Sequence, residues 1–235
     1  MPSSILLFSA GLDSTVNLKR AADEGRVRAA LTFDYGQRAA KREIEFAARA
    51  CRRLKVRHEI IRLPWLKAIT RSALVNRRAD VPRPLAAKLD DPAAAARTAA
   101  KVWVPNRNGV FLAVAAAFAE ALGADQIVSG FNAEEAATFP DNSVAFLNAT
   151  NRALRFSTMS GVRAVSYTAK LRKTQILRLG MKIGAPLDLV WCCYFGGRRI
   201  CGECESCQRF LRAVREAKAE KWFFAHHRGF QRKGS

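Results

Sequence analysis

"ILLFSAGLDSTVNLKRAA", residues 5 to 22, changes its period in the middle. Ile5 to Phe8 is a continuous apolar run of strand length, and Leu12 to Ala22 has helical spacing. Only Ser9, Ala10 and Gly11 separate them. A strand that becomes a helix through so short a turn opens a βαβ unit, and open α/β sheets bind ligands at that end of the strand. Ser9 offers a hydroxyl, and Ala10 and Gly11 allow close backbone approach. Asp13, Ser14 and Thr15 begin a helix whose free N–H groups favour a phosphate. The loop has no lysine, which excludes the G-x-x-x-x-G-K-[ST] pattern. A serine-containing loop of this shape suits pyrophosphate, the group that leaves when ATP adenylates a substrate. Two plainer readings compete. One is a small-residue turn capped by Asp13 or Ser14. The other is a nucleophile elbow, but Leu7 stands where G-x-S-x-G needs its first glycine, and the late histidines are His226 and His227.

Outward from this stretch the alternation continues. Val27 to Phe33 reads as a strand, Lys41 to Leu54 as a helix with Ile44, Phe46, Ala47 and Ala50 on one face, and Val56 to Ile61 as a strand. Residues 63 to 104 carry four prolines and little period, which predicts a flap or loop insertion with short helices. Asn108 to Leu122 is an alanine-rich helix stopped by Gly123. A strand at 126 to 129, a helix at 144 to 154, a strand at 163 to 167 and a helix at 173 to 183 follow. A last helix runs from Gln208 to about Trp222, and a basic tail, 226 to 235, is expected to fray. This rhythm predicts a Rossmann-like parallel sheet with helices on both faces. The expected units are an α/β domain over 1 to 186, a cysteine segment with its helix over 187 to 225, and the tail.

The chain has 235 residues, 49% of them hydrophobic, with 40 Lys+Arg against 20 Asp+Glu. A net charge of +20 favours polyanionic partners such as nucleotides, RNA, DNA or an acidic protein, or is simply a basic surface. No apolar run has the length of a membrane span, and the start lacks the features of a signal peptide, so a cytoplasmic protein is expected. Five of the six cysteines lie in "WCCYFGGRRICGECESC", residues 191 to 207. In a reducing compartment they are better metal ligands than disulfides. Cys201, Cys204 and Cys207 form C-x-x-C-x-x-C, and a fourth thiolate from Cys192 or Cys193 completes a tetrahedral zinc site. An iron–sulfur cluster uses the same thiols. Spacing does not choose between Cys192 and Cys193.

Five stretches in order, "FSAGLDST", "FDYGQR" (33 to 38), "VPNRN" (104 to 108), "GFNAEEAATFPD" (130 to 141) and the cysteine segment, resemble the 7-cyano-7-deazaguanine synthase family, N-type ATP pyrophosphatases of the queuosine precursor pathway. The resemblance implies an adenine-nucleotide α-hydrolase-like fold and an ATP-dependent ligase. The implied reaction joins 7-carboxy-7-deazaguanine and ammonia and gives 7-cyano-7-deazaguanine, consuming two ATP. It makes Cys193, Cys201, Cys204 and Cys207 the Zn²⁺ ligands and puts Cys192 where serine is usual. ATP is expected along Phe8 to Thr15 (Phe8, Ser9, Ala10, Gly11, Leu12, Asp13, Ser14, Thr15) and at Asp34 and Tyr35. Asp13 is expected to hold Mg²⁺, with Ser9 beside it, and Arg107 and Lys173 to neutralise phosphates. Asn132, Glu134 and Asp141 are expected at the guanine-like edge, Asp141 alternatively as a helix N-cap. A homodimer is implied by the family alone.

The departures are Ala10 and Asn106 where glycine is usual, Ala39 for His, Phe139 for Tyr, Asn142 for Cys, and Lys170 and Gln175 for acidic residues. Ala10 is tolerable if its φ stays negative. Several departures cluster at the base pocket, which keeps other readings open. These are a relative that attaches a deazaguanine to a protein or serves nucleic-acid modification, a tRNA-modifying pyrophosphatase, and a non-catalytic zinc-stabilised nucleotide or RNA binder.

Overall fold

The period change at residues 8 to 12 becomes a strand–loop–helix in the computed structural model, which describes residues 1–85 and 89–227. β1 (Ser3–Leu7), α1 (Leu12–Glu24), β2 (Arg26–Asp34), α2 (Ala40–Leu54) and β3 (His58–Arg62) come first. α3 (Pro64–Ile69) and α4 (Pro92–Val102) interrupt the rhythm. It resumes with α5 (Arg107–Leu122), β4 (Gln126–Val128), α6 (Ala133–Ala136), α7 (Val144–Ser157), β5 (Arg163–Val165) and α8 (Lys173–Lys182). α9 (Glu205–Glu216) and α10 (Glu220–His226) end the described chain.

The sheet order is β3-β2-β1-β4-β5 and every pairing is parallel. The chain winds out through β2 and β3, then returns to the other side of β1. The loop after β1 therefore sits at the switch point, where an open α/β sheet has its ligand crevice. Alternation along β1 divides the core. Ile5 packs with Leu31, Phe33, Leu112 and Ala116 on the α5 side, while Leu6 and Phe8 pack with Phe46, Ala47 and Ala50 on the α2 side. Gly123 ends α5 in the left-handed region at φ +62°, as its position predicts.

The irregular segment between β3 and α5 is stitched by one arginine. Arg38 donates to the carbonyls of Ala73, Asn76 and Ala79 at 2.9, 2.7 and 2.6 Å. These bonds satisfy backbone that no helix or strand provides for. Among the described residues, no helix is long and apolar enough to cross a membrane.

Two expectations at the C-terminal end are corrected. The single helix expected from Gln208 to Trp222 starts at Glu205 and breaks in two, because Lys218 takes a left-handed φ of +56°. The bend lets Phe223 meet Phe210 edge-on, ring centres 5.2 Å apart. His226 and His227 are not frayed: His226 ends α10, and His227 is buried with Nε2 at 2.7 Å from the Val190 carbonyl. The rest of the expected tail, 228 to 235, lies outside the described residues.

Candidate active site

The loop after β1 is held open by its own backbone. Gly11 caps α1 without any side-chain bond, and Thr15 is the residue whose N–H returns to Gly11 O, at 3.0 Å. The first-turn N–H groups of α1 thus have no cap. Ser14 Oγ donates to Gly11 O at 3.2 Å, and the Asp13 carboxylate is engaged elsewhere, so neither caps the helix. Gly130, after β4, runs against this turn: a Cβ there would lie 2.8 Å from Ser14 N. Ser9 Oγ has Ser14 Oγ and Gly11 N as neighbours, each at 3.4 Å, and His227 is bound to Val190. The elbow reading therefore has no histidine base.

Ala10 corrects an expectation. Its φ is +58°, not negative. A left-handed alanine costs roughly 1–2 kcal/mol. The turn holds because Ala10 is fully buried and its carbonyl accepts the Trp191 N–H at 2.8 Å. Asn106 is also left-handed, at φ +49°, a conformation asparagine adopts more readily than most residues.

Across the loop stands a buried charge cluster. Lys173 Nζ lies 2.9 Å from Asp13 Oδ2 and 2.7 Å from Glu135 Oε1. Asn132 donates to Asp13 Oδ2 at 3.2 Å, and its own oxygen caps Glu135 N–H at 2.9 Å. Burial raises the Asp13 carboxyl above its ordinary range against the pull of Lys173. Burial works the same way at Glu135, but there Lys173 and a side-chain hydrogen bond from Asn132 outweigh it and hold the carboxyl below its ordinary range. Burial disfavours the Lys173 ammonium, yet Asp13 and Glu135 together raise its pKa. Asp13 Oδ1 is buried without a partner.

A cavity of about 240 Å³ joins these groups to a second lobe. There Phe33 stacks on Phe111 with centres 4.0 Å apart, and Arg107 donates to Tyr35 Oη at 3.2 Å. Glu43, in the first turn of α2, closes the lobe and accepts from Gln37 Nε2 at 2.7 Å.

Of the residues expected around ATP, Phe8, Ser9, Gly11, Leu12, Asp13, Ser14, Tyr35, Arg107 and Lys173 line the cavity. Thr15 is fully buried behind the loop, and Asp34 instead accepts Gly36 N–H at 3.0 Å. None of the expected base-edge residues lines this cavity. Asn132 braces Asp13, Glu134 is engaged by Arg212 and the Lys173 backbone, and the Asp141 carboxylate accepts from Asn142 Nδ2. Ser143, not Asp141, is the N-cap of α7. Glu43, Glu135 and Asn142 line the cavity instead. Adjacent glutamates in a one-turn helix gave no periodicity by which to prefer Glu135, and Glu43 carried no motif of its own.

Below the loop, the Sγ atoms of Cys193, Cys201, Cys204 and Cys207 lie within 4.8 Å of one another. Backbone N–H groups of Phe195 and Cys201 point at Cys193 Sγ, at 3.3 and 3.4 Å, and those of Glu203 and Cys204 at Cys201 Sγ, at 3.4 and 3.3 Å. Donors converging on sulfur suit thiolates, and the close tetrad suits tetrahedral coordination. Cys192 stands outside the tetrad, 3.9 Å from Cys207 Sγ, and faces the cavity.

A parallel sheet with an uncapped helix start at its switch point and a thiol tetrad beneath it defines a Rossmann-like α/β protein. The family model for queuosine biosynthesis protein QueC matches residues 3–218, and the chain belongs to that family. It is 52% identical over 214 residues to a 7-cyano-7-deazaguanine synthase of Pelotomaculum thermopropionicum, covering 91% of this chain and 97% of that one. Proteins of the same name from Desulforamulus reducens and Carboxydothermus hydrogenoformans are each 49% identical, over 211 and 213 residues. These matches cover 90% and 91% of this chain and 92% and 98% of the relatives.

Glu43 makes a pH prediction. Burial pushes its carboxyl up to about 7, while Gln37 and Arg107 pull it down and Asp34 pushes it up. The folded value exceeds the unfolded one, so the stabilising contribution is complete below about pH 4 and is lost as pH rises through 7. The full loss is about 3 kcal/mol. Glu43→Gln keeps the shape without titrating. Thermal melts at pH 4, 6 and 8 should show the variant gaining on the wild type as pH rises, whereas a constant difference would mean that Glu43 titrates normally.

Proposed function

We propose that this chain converts 7-carboxy-7-deazaguanine and ammonia to 7-cyano-7-deazaguanine at the expense of ATP. The observation that carries the reading is the meeting of the uncapped start of α1, Asp13 and Lys173 in one cavity. The relatives' names support this reading and none of the others.

A carboxylate is a poor electrophile. Its oxygen attacks the α-phosphorus of ATP, the α–β bridging P–O bond breaks, and pyrophosphate leaves toward Ser9, Gly11 and the first-turn N–H groups of α1. Ammonia adds to the acyl adenylate and expels AMP, giving the amide after loss of a proton. A second ATP adenylates the amide oxygen, again breaking the α–β bridging bond and releasing pyrophosphate; that oxygen then departs as part of AMP while nitrogen loses two protons, and the nitrile remains. The residues here offer position and charge more than covalent chemistry. Lys173 and Arg107 neutralise the phosphates. The aromatic lobe of Phe33, Tyr35 and Phe111 offers flat apolar walls to a base.

The unpartnered, buried Asp13 Oδ1 suits a hard cation. Mg²⁺ held there would offset phosphate charge, and Asp13 is the ligand this chain would supply. The cysteine tetrad suits Zn²⁺ in a structural role, since all four positions are filled by sulfur.

Incubation with ATP, ammonium and 7-carboxy-7-deazaguanine should yield the nitrile by mass spectrometry, with release of AMP and pyrophosphate. Absence of nitrile from a zinc-loaded, folded sample sinks the reading. Asp13→Asn should lower AMP release about a hundredfold or more, because preorganised charge is lost at the phosphates. A variant with wild-type turnover would remove Asp13 from the role. Cys193→Ser should lose metal and melt earlier, since metal binding is coupled to folding. Cys192→Ser should keep both, and metal analysis showing the opposite pattern would reassign the fourth ligand.

A further inference from the structure

Outside the cavity, buried charge concentrates where α9 crosses α6 and the start of α8. Glu134 stands at the centre. Its Oε2 accepts from Arg212 Nη2 at 2.7 Å and lies 3.7 Å from Arg209 Nη1. Its Oε1 accepts the backbone N–H of Lys173 at 2.9 Å. That N–H belongs to the first residue of α8 and has no partner within the helix. Arg209 is itself fixed by Glu205 at 3.0 Å and donates to Leu89 O at 2.9 Å, while Arg212 also reaches Asp90 at 2.6 Å. The Glu134 side chain is only 11% exposed.

A buried ion pair is weak evidence for stability, because desolvating both charges offsets their attraction. Its geometric consequence is plainer. The helix that carries Cys207 in its first turn also carries Arg209 and Arg212. Arg212 holds Glu134, Glu134 holds the Lys173 backbone, and Lys173 Nζ meets Asp13 and Glu135. Direct contacts thus run from the thiol tetrad to the phosphate loop. A lysine stem is flexible, and its ammonium stays in place only if the backbone below it is fixed.

We infer that Glu134 and Arg212 are positioning residues that hold the start of α8, and with it the Lys173 ammonium, against the phosphate loop. This rests on the proposed role of Lys173 at the phosphates. Displacing a charged group by about 1 Å lowers rates on the order of a hundredfold, so loss of the brace has a kinetic signature.

The test compares Glu134→Ala, Glu134→Gln, Arg212→Met, Arg212→Lys and the double variant Glu134→Ala/Arg212→Met. It reads kcat, KM for the base, the Kd of inorganic pyrophosphate, zinc content and melting temperature. Glu134→Ala and Arg212→Met should each lower kcat by about tenfold or more and weaken pyrophosphate similarly, with KM for the base within about twofold. Zinc should remain bound. Glu134→Gln, which still accepts the Lys173 N–H, and Arg212→Lys should recover part of the loss. The double variant should be no worse than the poorer single, because both act through one chain of contacts. Single losses that multiply in the double, loss of zinc together with activity, or a Glu134→Ala protein within about twofold of wild type would each overturn the inference. If Glu134→Ala does not fold, Glu134→Gln and Arg212→Met carry the same comparison. The pyrophosphate titration needs no knowledge of the substrate. A wild type that binds pyrophosphate but forms no nitrile overturns the proposed function, and the inference is then decided by the variants' pyrophosphate affinity.

Discussion

One ammonium between a buried and a half-buried carboxylate governs this molecule. Lys173 reaches Asp13 and Glu135 together, and all three lie at the floor of one cavity. The group is one positive charge short of neutrality. Such an imbalance away from water is unfavourable, and burial accordingly keeps Asp13 above its ordinary range. The arrangement makes little sense as a stabilising device. It is consistent with a preorganised receptor, since Asp13 Oδ1 is left without a partner, as the proposed role at a cation and its phosphates requires.

The rest of the fold serves that cluster. Parallel pairing on both sides of β1 brings Asp13 and Gly130 together at adjacent strand ends. Trp191 ties the cysteine segment to the loop through Ala10 O and packs against Phe46 of α2, ring centres 5.1 Å apart. The tetrad is therefore not a remote appendage. Cys193, Cys204 and Cys207 share a buried cluster with Leu6 and Phe8 of the β1 region, so metal held there would stiffen the floor under the loop.

The sequence made the scaffold legible wherever one period or one residue type decided the outcome. Alternating apolar runs marked the strands, Gly123 marked a helix end, and C-x-x-C-x-x-C marked the tetrad. It was silent where tertiary contacts decide. Nothing local distinguishes Glu135 from Glu134, because α6 has a single turn and the choice is made by Arg212 from α9, nearly eighty positions away. Ala10 looked compatible only with negative φ, yet a long-range bond from Trp191 holds it left-handed. Lys218 breaks a continuous helical pattern because Phe223 finds Phe210 only after a bend. Glu43 was invisible as a site residue because its position at the cavity follows from the turn that Gln37 builds.

The net charge of +20 suggested polyanions, and the structure shows what some of that charge does locally. Arg38 satisfies three carbonyls of the irregular segment, Arg209 and Arg212 hold Glu134, and Arg53 forms a paired contact with Asp188. Arg107 and Lys173 are the basic residues that line the cavity. Arginine suits the bracing tasks because its planar fork serves several acceptors at once, which a lysine ammonium does with less directional control. Lysine suits the cavity floor because a compact ammonium fits between two carboxylates and can turn to incoming phosphates. The excess of arginine over local need is a property of the surface, while the two cations that line the cavity have neighbours fixed by the fold.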